Sequence, residues 1–484
     1  MSEPFDVIVV GAGGSGLAAA CSAAEHGGRV LVLEKRPQSG GTTGIAVGSF
    51  TAARTGMQQS TGIQDNVADH AEDAGKFAPP DIESKNNSEM RRFFLGEASA
   101  TLDWLRDLGI SFVGPNPEPP NRVPRMHNVV PGAKAYIASL QLALQKAGGK
   151  LVCNASVDRL LRDGVRVTGV QAIVDGQLRE FHARRGVILA AGDYANSPDI
   201  IAQHKGEQFR SIEGINPFAT GEGHQLASDA GAKLMNMDVT YGPELRFVPS
   251  SKRPFQQWLP SSGIAARLAG WIARWLPNCV MRAFIKRLLV TWQHPEDSLF
   301  QDGAILINQN GERFVDERMW PDREIGVANQ PDKVAYILLD SRLIQRYSKW
   351  PHFISTAPDI AYAYVQDYRR LRADVTSLAE TLEELAARKN FAVDTLRSAV
   401  ASDEVQLEDG PWVLLGPVKA YFTTTEGGAA IDERLRVLDE SGDVIPGLFA
   451  VGQNGLGGMI LWGHGLHIAW AITSGRLAGE FVME

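Results

Sequence analysis

The stretch VIVVGAGGSGLAAACSAAEHGGRVLVLE, residues 7–34, decides the fold of this chain. Its apolar residues predict a buried strand over Val7–Val10, followed by a glycine-rich turn and an alanine-rich helix. A second apolar run predicts a strand over Val30–Leu33 that ends at Glu34. This order of strand, turn, helix, strand and acid predicts an α/β domain with a Rossmann-like nucleotide-binding unit at its start.

Each glycine of the turn has a physical task. Gly11 permits the tight turn, Gly13 lets the backbone approach a pyrophosphate, and Gly16 lets the helix pack close to the strand. The helix N-terminus then faces the phosphate charge, and the carboxylate of Glu34 can bind both hydroxyls of an adenosine ribose. The motif predicts a bound adenine dinucleotide but does not separate NAD from FAD.

The composition restricts the class of protein. The chain has 484 residues with 44% hydrophobic residues, enough for two domains with full cores, and a net charge of −8 that argues against nucleic acid as a partner. The three cysteines, Cys21, Cys153 and Cys279, are widely separated and have no zinc or haem spacing, so no metal site is expected. Because the first strand starts near residue 5, we expect no signal peptide and a cytoplasmic protein.

The run KRPQSGGTT at residues 35–43, directly after Glu34, separates the two cofactors. It resembles the FAD-binding fold shared by fumarate reductase flavoproteins and 3-ketosteroid dehydrogenases, in which such a run wraps the diphosphate. The resemblance implies a glutathione-reductase-type FAD-binding domain with an inserted α+β cap domain. No histidine lies near Thr42 and Thr43 to carry a covalent attachment, so noncovalent FAD is expected.

Further segments resemble the same family, in family order. Residues 154–158 correspond to a strand that holds the adenine, residues 186–192 to a strand that closes on the diphosphate, and residues 220–224 to a turn near the flavin. Residues 444–453 resemble the segment that approaches the ribityl chain. The last helix, predicted over Leu466–Phe481, is expected to aim its N-terminal amides at the flavin pyrimidine ring.

The glycine motif and the resemblance together imply a set of FAD-binding residues: Gly11, Ala12, Gly13, Gly14, Ser15, Gly16, Glu34, Lys35, Arg36, Gly41, Thr42, Thr43, Gly48, Val157, Ala191, Gly192, Glu222, Gly452, Gln453, His467 and Ile468.

The resemblance also implies the domain limits. Residues 1–237 and 411–484 are expected to form the FAD-binding domain, and residues 238–410 the cap. Residues 305–317 resemble a cap motif of the family, and residues 372–402 have the periodicity of a solvated helix pair. The substrate is expected between the cap and the flavin.

The residues with which fumarate reductases hold a dicarboxylate are missing. The two family histidines fall near Gly242-Pro243 and Thr424, and the arginine before the last helix falls near Trp462. The cap arginine that delivers a proton has two imperfect successors, Arg323 and Arg318. A desolvated dianion would lack partners, at a cost of several kcal/mol. The sequence therefore argues against fumarate or succinate and favours a neutral, ring-shaped substrate.

The 3-ketosteroid-dehydrogenase-like branch remains, with partial correspondence. One family tyrosine falls near Met126-His127 and another near Leu461, where it is absent, while Gly465 matches the glycine that helps hold a ketone oxygen. Candidate catalytic or substrate-contacting residues must therefore come from the chain itself: His464, Tyr421, His127, Arg323, Tyr241, Trp462 and Gly465. A tyrosine or histidine in this set can serve as the acid, and each has a structural role as its alternative.

One cap segment is unusual for a soluble enzyme. Residues 245–295 contain no acid but hold eight basic residues and four tryptophans: Arg246, Lys252, Arg253, Arg267, Arg274, Arg282, Lys286, Arg287, Trp258, Trp271, Trp275 and Trp292. Helical spacing is expected over residues 264–276 and 279–292. The frequent charges exclude a membrane span, and basic amphipathic helices with tryptophan are typical of an interfacial helix. We call residues 258–293 the basic segment, and expect peripheral contact with the inner face of a membrane; packing on the cap or on another subunit is the alternative.

The resulting hypothesis is an FAD-dependent dehydrogenase or ene-reductase. It would act beside a carbonyl of a hydrophobic, steroid- or terpenoid-like molecule by hydride transfer with flavin N5. The direction and the electron acceptor or donor are open. A flavin hydroxylase or oxidase, and a non-catalytic membrane-docked flavoprotein, are the alternatives.

Overall fold

The strand Phe5–Val10 lies inside a sheet of eight strands. The computed structural model describes residues 4–250, 261–273, 278–357, 360–401 and 407–484. Phe5–Val10 pairs in parallel with Val30–Leu33 on one side and Gln177–Leu189 on the other. Because layers cover both faces, Val7, Ile8 and Val9 are fully buried, as the continuous apolar run predicts.

The other strands of this first sheet extend it at both ends. They are Lys150–Val152, Ala155–Asp163, Arg166–Val174, Arg436–Leu438 and Val444–Ala450. The sheet thus joins the start of the chain to a strand some 440 residues later. The predicted strand–turn–helix–strand unit and the predicted α/β fold class are confirmed.

The first and last long helices of the chain pack against each other. Gly14–Glu25 follows the glycine turn, and Leu466–Phe481 has the bounds predicted from the sequence. A Cβ at Gly475 would lie 2.2 Å from the carbonyl oxygen of Ser15, so the two backbones approach closely only because that position is glycine. This contact places the C-terminal helix beside the glycine turn.

The second sheet is centred on Trp412–Phe422. Its other strands are Glu213–Gly214, Glu244–Phe247, Ile305–Ile307, Ala335–Leu339 and Thr376–Ala379. The sheet extends beyond the predicted cap limits of 238 and 410, because its central strand follows residue 410. A separate apolar core packs around it, with Leu306, Ile337 and Val413 fully buried.

A third, three-stranded sheet lies between these parts. It consists of Ser49–Thr51, Ser111–Asn116 and Met126–Val130. The loop between the last two strands carries Glu118 and Arg125. Three two-stranded pairs complete the strands: Leu234–Met235 with Gly428–Ala429, Thr240–Tyr241 with Thr424–Thr425, and Ser355–Ala357 with Ala361–Ala363.

Helices fill the connections. They are Gly56–Ser60, Val67–Ala74, Pro80–Glu83, Ser88–Asp107, Lys134–Lys146, Pro198–His204, Glu222–Asp229, Gly263–Ala273, Asn278–Trp292, Asp297–Gln301, Asp322–Ala328, Ser341–Arg346, Val365–Leu371, Leu382–Lys389 and Val393–Val400. The pair Leu382–Lys389 and Val393–Val400 confirms the helices predicted within residues 372–402. Within the described ranges, no helix is long and apolar enough to cross a membrane.

Candidate active site

The glycine turn has the geometry that a diphosphate needs. Gly11 has φ of +104°, and a Cβ at Gly16 would lie 2.0 Å from the carbonyl oxygen of Gly11. At Gly13 a Cβ would meet nothing closer than 3.8 Å, which leaves the backbone open to an approaching group. The helix Gly14–Glu25 has no side-chain cap and no acid in its first turn. Its terminal amides are therefore suited to bind phosphate oxygens.

Glu34 lies at the end of its strand, as predicted, and is 6% exposed. One carboxylate oxygen accepts the amide of Ala12 at 2.8 Å and the other accepts the amide of Arg36 at 2.9 Å. These bonds hold the carboxylate beside the glycine turn, where a ribose would lie. Arg36 packs its guanidinium over the ring of Phe218 at 4.1 Å.

Two predicted segments far apart in sequence meet beside this turn. The ammonium of Lys35 binds a carboxylate oxygen of Glu222 at 2.6 Å and the hydroxyl of Thr220 at 2.8 Å. The hydroxyl of Thr42 accepts a hydrogen bond of 3.0 Å from the side chain of Asn216. The structure therefore brings residues 35–43 and 216–222 together on one side of the site.

The C-terminal motif closes the other side. A Cβ at Gly452 would lie 2.8 Å from the hydroxyl of Ser15, so the two predicted residues are in contact. Asn454, which sequence reasoning missed, accepts the amide of Ala191 at 2.6 Å and donates to the carbonyl of Gly192 at 2.9 Å. It cross-links two predicted cofactor turns.

Other predicted cofactor residues form hydrogen bonds or pack within the protein itself. The side-chain amide of Gln453 donates to the hydroxyl of Thr424 at 2.8 Å and to the carbonyl of Thr425 at 2.5 Å. The carbonyl of Gly48 accepts the hydroxyl of Tyr136 at 3.0 Å. Val157 is buried in its strand, opposite Ala172. Roles for Gln453, Gly48, Val157 and Ile468 toward FAD stay predictions.

An aromatic wall stands beside the start of the last helix. The ring of Tyr241 lies 5.1 Å from that of Trp462 and 6.1 Å from that of His467. Burial raises the pKa of Tyr241 well above its ordinary value. Trp462 also packs on a small apolar cluster that contains Val239 and Ile460. Three of the predicted residues are thus neighbours in space.

Each of three cationic or histidine side chains near this wall has a carboxylate partner. His467 Nε2 lies 2.8 Å from Glu426, which is fully buried. His464 Nδ1 lies 2.8 Å from Glu118. A third pair, Arg246 with Glu244, is 2.8 Å apart, and His294 lies 3.8 Å from the same carboxylate. Burial raises the pKa of Glu244, but His294 and Arg246 outweigh it and hold that pKa below its usual value.

Sequence reasoning missed these three acids. Glu118 lies in a proline-rich loop that has no recognisable pattern. Glu426 is the one acid in the segment TTTEGG at residues 423–428, a signal that could have found it. Glu244 flanks the position where a family histidine is missing. Their proximity depends on chain segments more than 100 residues apart.

The other predicted catalytic residues have different surroundings. His127 is fully buried, with Nε2 3.0 Å from the hydroxyl of Thr55 and Nδ1 3.3 Å from the carbonyl of Phe50, which favours a structural role. Tyr421 lies on the central cap strand opposite Glu244, and burial raises its pKa to about 12. Gly465 has φ of +90° and caps the last helix.

The two candidate cap arginines are both held by acids. Arg323 is 4% exposed, binds Glu324 at 2.6 Å and Asp297 at 2.7 Å, and lies over the ring of Phe300. Burial raises the pKa of Glu324 to about 7. Arg318 binds Asp316 at 2.8 Å near the surface. The ion pairs of Arg323 with Glu324 and Asp297, and of Arg318 with Asp316, lie within the predicted cap.

Known proteins are similar to this chain along most of its length. The model of the FAD binding domain family matches residues 6–251 and 262–462. The chain therefore belongs to this family, within the fumarate reductase/succinate dehydrogenase flavoprotein superfamily. It is an FAD-dependent oxidoreductase, and its relatives act on CH–CH groups.

Two curated relatives span almost all of the chain. A fumarate reductase (cytochrome) of Shewanella frigidimarina is 26% identical over 99% of this chain and 77% of its own length. A vinyl phenol reductase of Lactiplantibacillus plantarum is 24% identical over 100% of this chain and 97% of its own length.

Two solved structures share the fold. The open conformation of a flavocytochrome c3 fumarate reductase has a TM-score of 0.73 at 24% identity, covering 100% of this chain and 78% of that one. The 3-ketosteroid Δ1-dehydrogenase of Sterolibacterium denitrificans has a TM-score of 0.67 at 19% identity and covers 100% of both chains. Both of the families named in the sequence-based resemblance therefore have this architecture.

Proposed function

We propose that this FAD-dependent oxidoreductase acts on the C–C or C=C bond adjacent to a carbonyl of a hydrophobic, cyclic, steroid- or terpenoid-like substrate. FAD, bound by the glycine turn, Glu34 and the C-terminal motif, would supply or accept a hydride at its N5. The residues proposed to face the substrate are Tyr241, Trp462, His464 and Tyr421. A cap that covers the flavin is part of this proposal. It consists of the predicted residues 238–410, extended by the strands Glu213–Gly214 and Trp412–Phe422 of the second sheet.

The pairing of charges near the aromatic wall carries the proposal. His467, His464 and Arg246 each have a carboxylate partner within 2.8 Å. A dicarboxylate entering here would meet acids that already neutralise these groups, and its desolvation would cost several kcal/mol without compensation. A neutral ring can instead pack on Trp462 and Tyr241 without that cost.

The relatives are consistent with this choice in different ways. The fumarate reductases match at 26% identity or less, and the arginine position of that family is occupied here by Trp462. The vinyl phenol reductase, whose name indicates a neutral aromatic substrate, matches over nearly its full length. These similarities support a CH–CH reaction on a substrate without two carboxylates.

The experiment is anaerobic and follows the flavin absorbance. Protein with dithionite-reduced flavin is mixed with a panel of cyclic enones, a vinyl phenol, fumarate and urocanate, and oxidised protein is mixed with the saturated ketones. We expect a neutral cyclic compound to change the flavin spectrum and fumarate to leave it unchanged. Rapid turnover of fumarate contradicts the proposal. Oxygen consumption with NAD(P)H and substrate would indicate the hydroxylase or oxidase instead.

We also propose that the basic segment contacts an anionic membrane surface peripherally. In the helix Gly263–Ala273, Ala266 and Gly270 face the protein, and a Cβ at Gly270 would lie 2.3 Å from the side chain of Ser111. The large apolar side chains Leu268 and Trp271 are instead 55% and 59% exposed. This distribution is the reverse of an ordinary surface helix.

The charge of the segment selects the partner. Arg282 and Arg287 in the second helix are exposed, whereas Lys286 binds Asp367. Exposed tryptophan beside arginine, with no acid in residues 245–295, complements anionic headgroups. Several residues predicted for this surface lie outside the described residues: Lys252, Arg253, Trp258, Arg274 and Trp275.

Vesicle sedimentation tests this contact. We expect binding to vesicles of phosphatidylglycerol and phosphatidylcholine, weak binding to phosphatidylcholine alone, and loss of binding in Trp271→Ser with Leu268→Ser. Trp350→Ser, which removes a tryptophan that is 67% exposed elsewhere, is the matched control and should bind normally. Equal binding by all variants, or a change in the oligomeric state of the double variant with no effect on vesicle binding, contradicts the membrane proposal.

A further inference from the structure

The backbone of His464 is held on both sides. Its amide donates to a carboxylate oxygen of Glu118 at 2.7 Å, and its carbonyl accepts the hydroxyl of Thr51 at 2.7 Å. The flanking residues Gly463 and Gly465 have φ of +128° and +90°, a region that disfavours other residues. A Cβ at Gly465 would lie 2.7 Å from the hydroxyl of Thr51. His464 is therefore placed by backbone geometry as well as by its side chain.

The ring of His464 is oriented by the same acid. Its Nδ1 lies 2.8 Å from the carboxylate oxygen of Glu118 that accepts the backbone amide. The carboxylate is almost fully buried, whereas half of the imidazole side chain is exposed. Nε2 makes no hydrogen bond to any residue in the part of the chain that the structure describes. The ring is thus fixed through Nδ1, and Nε2 is left for a substrate.

The charged groups around the ring favour a proton on it. Burial lowers the pKa of His464, but the hydrogen bond and charge of Glu118, together with the charge of Glu244, outweigh this effect. Arg246 and His294 act in the opposite direction. The net result is a pKa above the ordinary histidine value.

We propose that His464 donates the proton when the substrate is reduced, and that Glu118 is its positioning residue. This inference rests on the proposed function. A histidine whose Nδ1 is held by a buried carboxylate can carry a proton on Nε2 and transfer it to a substrate carbon. The orientation by a buried carboxylate is the same arrangement that positions catalytic histidines in other enzymes.

Bound, reduced FAD would supply a hydride to the β-carbon of the C=C bond beside the carbonyl. His464 would transfer the proton on Nε2 to the α-carbon, and the substrate would thereby be reduced by two electrons. The ring regains a proton from solvent through its exposed edge. An external two-electron donor, of the reduced nicotinamide or reduced flavin class, restores the flavin.

The first measurement is independent of turnover. FAD-loaded protein with 13C-labelled histidine rings is titrated by NMR, and the His464 signal is assigned from its loss in His464→Gln. We expect a pKa above 6.5 in the wild type and a clear decrease in Glu118→Gln, which keeps the side-chain shape but removes the charge. Asp103→Asn, the same change at an exposed pair with Arg106, should leave the value unchanged. If the pKa of His464 is unchanged in Glu118→Gln, the proposed pairing of His464 with Glu118 is overturned.

The second measurement follows reoxidation of dithionite-reduced flavin by a neutral cyclic enone. The wild-type rate should fall as the pH rises through the pKa of His464, and this fall should occur at lower pH in Glu118→Gln. His464→Gln should lose about 100-fold and become independent of pH in this range. If Glu118→Gln does not retain FAD, the pH dependence of flavin reoxidation in His464→Gln is the deciding measurement. If that pH dependence equals the one of the wild type, the inference is overturned.

The two proposals fail in different ways. A high pKa at His464 that depends on Glu118, with no enone that reoxidises the flavin, contradicts the proposed function and leaves the dyad intact. Enone reduction that is unaffected in His464→Gln supports the proposed function and contradicts the role of His464.

Discussion

The side-chain amide of Asn454 lies 3.2 Å from Nδ1 of His224. The oxygen of the same amide accepts the backbone amide of Ala191 at 2.6 Å, so its nitrogen must be the group that faces His224. His224 Nδ1 is therefore an acceptor, and Nε2 donates to the carbonyl of Gly427 at 3.0 Å. The neutral ring of His224 satisfies both bonds, whereas a protonated ring would lose one.

Three buried histidines should each contribute a loss of stability in mild acid. Burial lowers the pKa of His224 and of His127 to about 4, and that of His70 to about 3. Because these folded-state values lie below that of an unfolded histidine, the unfolded chain binds protons first as the pH falls below about 6.5. The stability is fully present above that pH and is lost as the pH falls toward the folded values, by about 1.4 kcal/mol per pH unit for each histidine.

Urea unfolding at pH 7, 6 and 5 measures this slope. The glutamine in His127→Gln can still bond to Thr55 and Phe50 but cannot titrate. The contribution of one proton to the slope of the free energy of unfolding against pH should therefore be missing in this variant. A slope identical to that of the wild type would mean that His127 does not contribute.

Gly16→Ala should abolish FAD binding. Its Cβ would lie 2.0 Å from the carbonyl oxygen of Gly11, which is backbone and cannot move without opening the turn. We expect a loss of about 1–3 kcal/mol in the free energy of unfolding and no bound flavin in the absorbance spectrum. Gly96→Ala is the matched control, because it lies in the helix Ser88–Asp107 and a Cβ there would meet nothing within 4 Å. Gly96→Ala should bind FAD, and its free energy of unfolding should increase by about 0.5–1 kcal/mol.

Arg125→Met should destabilise the loop that carries Glu118. Arg125 is fully buried and binds Asp65 at 2.7 Å and Asp73 at 2.6 Å. Its removal leaves the buried carboxylate of Asp65 without its ion-pair partner, whereas Asp73 keeps Lys76 and Arg122. The expected cost is about 3–5 kcal/mol in chemical unfolding. Arg106→Met removes the exposed partner of Asp103 and should cost about 0.5 kcal/mol or less. Equal effects of the two variants would contradict a structural role for the buried pair.

Trp462→Arg should weaken the binding of a neutral cyclic substrate without turning the protein into a fumarate reductase. The arginine would replace the indole that stands 5.1 Å from Tyr241, while Glu426 and Glu244 would remain beside it. We expect an increase of about tenfold or more in KM for the neutral substrate, because its aromatic contact is lost. Trp462→Phe, which keeps a ring, should change KM much less. Efficient fumarate reduction by Trp462→Arg would show that the paired acids do not exclude a dicarboxylate.

Local sequence was sufficient for the cofactor half of the molecule. The glycine turn, the first two strands, Glu34 and the helix Leu466–Phe481 all lie where the pattern predicts them. Each of these features depends on residues close together in the chain, so periodicity and turn chemistry describe them well. The contacts of Lys35 with Thr220 and Glu222, by contrast, were not predicted and appear only in the structure.

The substrate side could not be predicted in the same way. His464 was identified from its position between glycines, but its partner Glu118 is 346 residues away, and no local pattern connects them. His127, which had been considered for catalysis, is instead fully buried against Thr55, because its strand pairs with Ser49–Thr51. Pairings of this kind arise only when distant strands assemble.

The sequence by itself determined that the chain binds FAD. The tertiary structure decided which acid lies against each histidine beside the aromatic wall: Glu118 against His464 and Glu426 against His467. The physical reason is distance. A nucleotide-binding turn is made by neighbouring residues, whereas the charge of a site is the sum of groups that folding brings together from several distant segments.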